Sequence, residues 1–164
     1  MSSYTTLYDY VPSVFTDVTP EQEKARRAVT EFKDGACPEY VMRDVADAVR
    51  KAADAAPGDF TVCFVPASRL DLTVLRYDEL ANFLAREFRD HVYLNTIELC
   101  ETYDEVIEEK RRFTCNQARV KGRTVIFIDD IYNTGNSYSA IVSLLEEAGA
   151  RDAVGVYIAR VVRP

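Results

Sequence analysis

The residues with the most chemical content in this 164-residue chain lie between Val125 and Ser137. Four apolar residues, Val125-Ile126-Phe127-Ile128, lead into Asp129-Asp130 and then Ile131-Tyr132-Asn133-Thr134-Gly135-Asn136-Ser137. An amphipathic stretch follows, with Ile141, Leu144, Leu145 and Ala148 at helical spacing. In order, this reads as a buried strand, two carboxylates, a glycine-bearing turn and a helix start. Gly135 allows a sharp turn and a close approach of backbone to ligand. Thr134 and Ser137 bring hydroxyls, Asn133 and Asn136 bring amides, and a helix start brings free N–H groups at the positive end of its dipole. These are the parts of a phosphate cradle. Two carboxylates directly before it would repel an anion unless a hydroxyl-bearing sugar or a Mg²⁺ ion stands between. Ligands of open α/β sheets sit beyond the carboxyl ends of the strands, which is where this segment belongs. The bland alternative is a solvated Asp-Asp turn with an Asn-Thr-Gly helix entry; the conjunction of acids, hydroxyls, amides and glycine favours a sugar phosphate site.

Two rival readings of an acid-tipped strand fall away. A nucleotide-hydrolysing strand of the Walker B kind needs a G-x-x-x-x-G-K-[ST] partner, which the sequence lacks. A phospho-receiver site draws its acids from separate strands, whereas these two are adjacent.

Cations are offered in two places. Val65-Pro66-Ala67-Ser68-Arg69 leaves an apolar run, with small residues able to expose backbone N–H groups and an arginine able to donate charge-assisted hydrogen bonds. From Lys110 to Ile128 there are six basic residues (Lys110, Arg111, Arg112, Arg119, Lys121, Arg123) and no acid. In a chain of net charge −7, one basic island implies a localised anionic ligand or a loop that balances the acidic run from Glu101 to Glu109.

The elements that must position these residues follow from periodicity. Residues 1–18 read as an irregular arm. Thr19-Pro20-Glu21-Gln22 is a capping box with proline at the first helical position, and Ala25, Ala28, Val29 and Phe32 share one face up to Gly35. A second helix is predicted over 39–56, stopped by Pro57-Gly58, and a third over 78–88. Phe60–Val65, Val92–Leu99, Val125–Ile128 and Ala153–Ala159 read as strands, and Ser137–Ala148 as a helix; Thr102–Gly122 follows no period. The fold class is α/β, a parallel sheet flanked by helices, with the first two helices as an added layer. One domain is expected over 1–164, divided into an N-terminal arm with helices, usable as a hood (1–57), and a core (58–164).

Composition excludes several classes. Four dispersed cysteines without a Cys-x-x-Cys pair and a single histidine, His91, argue against a zinc ribbon or a disulfide framework. Cys63 and His91 read as structural. The acidic balance disfavours nucleic acid and anionic membranes as partners, and no apolar run is long enough to span a bilayer. The N-terminus has neither a basic n-region nor an apolar h-region, so a cytoplasmic location is expected.

Val125 to Ser137 resembles the phosphoribosyl-pyrophosphate signature of type I phosphoribosyltransferases, and the chain from about Phe60 onward is more loosely similar to the competence-protein-F-like branch, without that branch's zinc ribbon. The resemblance implies a transferase of nucleotide metabolism with phosphoribosyl pyrophosphate as small-molecule donor, an unidentified acceptor and Mg²⁺ as cofactor; a homodimer is compatible with it. Asp129 and Asp130 would hold the ribose hydroxyls, and the metal indirectly, through ribose or water. Asn133, Thr134, Gly135, Asn136 and Ser137 would cradle the 5′-phosphate. Pro66, Ala67, Ser68 and Arg69 would form the pyrophosphate loop, and Lys110 and Arg111 would belong to a mobile catalytic loop. Asn133 departs from the pattern, because some members carry an aspartate general base there. The chain ends a few residues after its last strand, so an acceptor pocket would draw on N-terminal aromatics such as Tyr4, Tyr8, Tyr10 or Phe15. A sensor that binds without turnover is the alternative.

Overall fold

A computed structural model describes residues 2–99 and 113–164. Four parallel strands form one sheet: β1 (Ser2–Tyr10), β2 (Phe60–Phe64), β5 (Thr124–Tyr132) and β6 (Asp152–Val161), in the spatial order β1-β6-β5-β2. Helices α1 (Pro20–Lys33), α2 (Glu39–Ala55) and α3 (Leu70–Phe88) cover one face, where Phe32, Val45, Tyr77, Leu80 and Leu84 close over Phe64, Ile126 and Ile128. The opposite face carries α5 (Asn136–Glu147), the short α4 (Gln117–Val120) and an antiparallel ribbon, β3 (Ile97–Leu99) with β4 (Phe113–Cys115). The expected parallel α/β architecture is therefore present, and α1 and α2 are a layer of its core.

Where periodicity was strong, the elements match. Thr19 caps α1 reciprocally with Gln22, and α2 ends at Ala55 before Pro57-Gly58. Gly35 stops α1 at φ +84°; a Cβ there would stand 2.6 Å from the Leu75 carbonyl oxygen. Only glycine lets the end of α1 lie that close to α3.

Four expectations need correction. Residues 2–10 are a nine-residue edge strand rather than an irregular arm; paired side by side with β6, they need no strong alternation of their own. Val92–Leu99 does not enter the main sheet. Val92 makes a single bridge to Val62, and Ile97–Leu99 turns to pair with β4. The third helix begins eight residues earlier than predicted, at Leu70, because Arg69 in extended conformation can start it directly after the β2 loop. Finally, β5 does not end at Ile128. Its pairing with β6 runs through Asp129 to Tyr132.

Alternation of side chains fails at one level across three strands. Leu7 and Tyr8, and Ile158 and Ala159, both pack toward the α1–α3 layer, as does Ile131 next to Asp130, whose carboxylate reaches α1 and α3. The pairing skips that level in both ladders, from Tyr157 to Ala159 against β5 and against β1. A coordinated kink keeps register while turning the carboxyl ends of the strands, and it returns Tyr132 to the α5 side.

Among the described residues no helix is long and apolar enough to cross a membrane.

Candidate functional site

The turn after β5 has the geometry its residues allow. Gly135 is the N-cap of α5 with φ +87°, left-handed, and has no side chain of its own with which to cap the helix. The first turn of a helix has N–H groups with no intrahelical partner, and here they face the turn at the positive end of a twelve-residue dipole. Thr134 Oγ1 accepts from the Asn136 N–H at 3.4 Å, a long contact that holds the hydroxyl over the turn. Asn133, Thr134, Gly135, Asn136 and Ser137 all border one cavity of about 260 Å³. The sequence placed these five together, and the fold keeps them together.

Tyrosines wall this cavity. Tyr132, Tyr138 and Tyr157 line it, and Tyr4 of β1 stacks on Tyr132 with ring centroids 4.3 Å apart. The Tyr132 hydroxyl sits where a Cβ on Gly135 would be, 2.7 Å away, so the turn and the ring are fitted to each other. Tyr157 is buried and its hydroxyl has no hydrogen-bond partner among the described residues; burial, followed by the charge of Asp129, pushes its phenol up. A buried donor without a partner beside a cavity is an incomplete polar site. Of the aromatics proposed for an acceptor pocket, Tyr4 alone adjoins it. Tyr8 donates to Asp44 at 2.5 Å, Tyr10 packs on the core, and the Phe15 carbonyl accepts from Arg26.

The acid pair lies inside β5, not beyond it. Asp129 is 8% exposed, opposite Tyr157 in register, with its Oδ1 accepting the Asp130 N–H at 2.8 Å. Burial, and after it the Asp130 charge, pushes its carboxyl well above the carboxylate range. Asp130 stays within reach of the Asp129 carboxyl and also meets two cations: Arg76 Nη1 donates to its Oδ2 at 3.3 Å and Lys33 Nζ stands 3.5 Å from the same oxygen. Neither cation carries a sequence signal. Lys33 ends α1 and Arg76 sits in a helix predicted to start after it, so only the packing of α1 and α3 on β5 brings them to the acids.

The Pro66–Arg69 loop leaves β2 beside β5, with the Val65 N–H bonded to the Ile128 carbonyl. It is closed on itself. The Ala67 N–H donates to Thr73 Oγ1, whose hydroxyl in turn donates to the Arg69 carbonyl, both at 2.9 Å. Arg69 lies out in solvent, 67% exposed, against Asp71. The basic island divides. Lys110, Arg111 and Arg112 lie outside the described residues. Arg119 bonds Asn95 and covers the Tyr93 ring, and Arg123 pairs with Asp59 at the amino end of β2, the far end of the sheet. His91 is structural, stacked on Phe60 with Nδ1 2.9 Å from the Phe60 carbonyl, and Cys63 is core.

Among the described residues no three of His, Cys, Asp and Glu gather closely enough to hold a metal ion. Asp130 is already shared between two cations, which leaves it poorly placed to ligate a metal ion directly.

No family model and no curated protein matches the sequence. Solved structures do. An allosteric regulatory enzyme of purine biosynthesis aligns with a TM-score of 0.45 and 18% identity over 79% of this chain and 30% of its own. A purine phosphoribosyltransferase from Pyrococcus horikoshii aligns with a TM-score of 0.46 and 16% identity over 77% and 87%. A phosphoribosyltransferase from Corynebacterium diphtheriae aligns with a TM-score of 0.45 and 16% identity over 86% and 92%.

Proposed function

We propose that the chain is a phosphoribosyltransferase that takes Mg²⁺-bound phosphoribosyl pyrophosphate as donor and displaces its pyrophosphate with a nitrogen nucleophile. The observation that carries this reading is the start of α5 at left-handed Gly135, on a turn that borders a cavity and follows by a few residues an acid pair in the carboxyl-terminal part of a parallel strand. In the reaction a nitrogen lone pair forms the bond to C1 of the ribose. The C1–oxygen bond breaks, and its electrons leave with pyrophosphate. The Asn133–Ser137 turn binds the 5′-phosphate through N–H and hydroxyl donors. Asp130 and Asp129 accept from the ribose hydroxyls, and the Asp130 charge favours the cationic sugar that develops as C1 loses its leaving group. Mg²⁺, when bound, neutralises charge on the departing pyrophosphate. Asn133 cannot take a proton, so any base for the nucleophile comes from elsewhere.

Calorimetric titration tests this with the double variant Asp129→Asn/Asp130→Asn. Ribose 5-phosphate should bind it more weakly than it binds wild type, whereas inorganic phosphate, which needs only the turn, should bind equally or more tightly. Parallel losses for both ligands would withdraw the sugar-binding role of the acids. Asn133 favours a second reading, a phosphoribosyl-pyrophosphate sensor without turnover. A pyrophosphate-release screen against nucleobases separates the two.

A further inference from the structure

The two edges of the main sheet are unlike. On the β2 side, Val92 bridges to Val62, the Tyr93 N–H donates to the Val62 carbonyl at 2.9 Å, and His91 Nδ1 stands 2.9 Å from the Phe60 carbonyl. On the other side, the nine-residue β1 pairs with β6 alone. Among the described residues no hydrogen bond reaches the β1 backbone groups that point away from β6. Natural sheet edges are ordinarily blunted by proline, by lysine or by a very short strand. Ser2–Tyr10 has neither residue, and its one charge, Asp9, is held by Arg160 at 2.9 Å.

The helix side of this bare edge is also unfilled. Ser3, Thr5 and Leu7 face α2 across a cavity of about 520 Å³, whose opposite wall is Ala48, Ala52 and Ala55. A second cavity of about 660 Å³ shares Leu7 and Asp44 with the first and continues past Tyr8 toward α1. Small side chains on both walls leave the first gap open. At its inner end lies Thr124, buried, with a hydroxyl that has no hydrogen-bond partner among the described residues. Charge around the gap is largely met within the protein: Arg50 holds Asp47, the Tyr8 hydroxyl donates to Asp44, and Lys51 follows Asp47 by one helical turn. An unpaired backbone edge is completed by N–H and C=O groups, and an apolar gap beside it by side chains on one face. A single extended strand supplies both.

We propose that the β1 edge is a docking site for an extended, uncharged peptide segment of a partner protein. The segment adds a fifth strand beside β1 and sets large apolar side chains, at alternate positions, into the gap under α2. A second copy of the chain fits less well. Antiparallel pairing of two β1 edges about a two-fold axis would turn Ser3, Thr5 and Leu7 of each copy to the helix side, and two of these three are too small to fill the gap. An edge of nine residues is about 30 Å long, so one strand's width along it comes to about 300 Å² a side. A stable pair of proteins buries about 800 Å² per partner. The inference stands apart from the phosphate turn and does not depend on it.

Fluorescence anisotropy tests this with a labelled nine-residue peptide in which leucine alternates with threonine, beside a control of the same composition with its leucines in one block. Wild type should bind the alternating peptide about tenfold or more tightly than the block peptide. The alternating peptide should also slow amide hydrogen exchange within Ser2–Tyr10. Ala48→Leu/Ala52→Leu fills the gap from the α2 side and should weaken binding about tenfold. Thr5→Lys, at an exposed position of the edge, should do the same and reports even where the double variant fails to fold. Leu70→Ser, on an exposed apolar part of α3, should leave binding unchanged. Equal affinity for the two peptides overturns the proposal, as does binding that leaves β1 exchange unaltered or that depends on Leu70. Wild type that sediments as a dimer, with β1 amides protected before any peptide is added, makes a second copy the occupant and overturns it too.

Discussion

Two strand-to-helix turns stand side by side at the carboxyl edge of the sheet, one after β2 and one after β5, and they differ in readiness. The β5 turn opens on a left-handed glycine that has no side chain to cap α5, and it borders a cavity. The β2 turn also enters a helix without an N-terminal side-chain cap, but Thr73, one turn into α3, takes the Ala67 N–H, and Arg69 is spent on Asp71. Topology puts both turns where a ligand belongs; local hydrogen bonding decides which is open to one. An anion at the β5 turn meets a left-handed backbone turn that borders a cavity, whereas at the β2 turn it must first part the Ala67 N–H from the Thr73 hydroxyl.

The largest expected effect tests the open turn. Gly135→Val should reduce phosphate binding below detection in a titration, because valine resists φ +87° and its Cβ would meet the Tyr132 hydroxyl. Retained affinity would mean that the turn is not the cradle. Thr134→Ala should be milder. The loss of one hydrogen bond to a charged group, about 1.5–3 kcal/mol, lowers affinity about tenfold or more. An unchanged Kd would confine the cradle to backbone donors.

Next comes stability. The raised folded-state value of Asp129 means that the fold keeps a proton that the unfolded chain gives up. The associated stability is fully present below the ordinary value of 3.8 and is lost as pH rises through the folded value. Asp129→Asn should therefore raise Tm near neutral pH, with the gap closing toward pH 3.8 and below. A gap that widens on acidification would reverse the sign and place a cation on Asp129. The smallest effect belongs to the closed turn. Arg69→Ala removes an exposed pair and should leave Tm unchanged and the phosphate Kd within about twofold. A larger loss would mean that the β2 turn opens to ligand after all.

Much of this molecule is local and could be read directly. The capping box at Thr19, the stop at Pro57-Gly58, the buried run Val125–Ile128 and the turn Asn133–Ser137 each depend on neighbours within a few residues, so residue type and spacing specify them. Strand β1 escaped notice because a strand that lies on a sheet edge beside β6 needs only extended backbone, and its half-exposed tyrosines and threonines follow no sharp period.

The cationic side of the site depended wholly on tertiary structure. Arg69 has the position in the chain that a binding loop would use, yet its neighbour Asp71 neutralises it; Lys33 and Arg76 lie far from the acids in sequence and reach Asp130 only because α1 and α3 pack on one face of β5. The sequence by itself determined the phosphate turn, since a backbone conformation and its donors are properties of adjacent residues. Which cations face the acids is a matter of long-range packing, and charge complementarity across elements leaves no periodic mark along the chain.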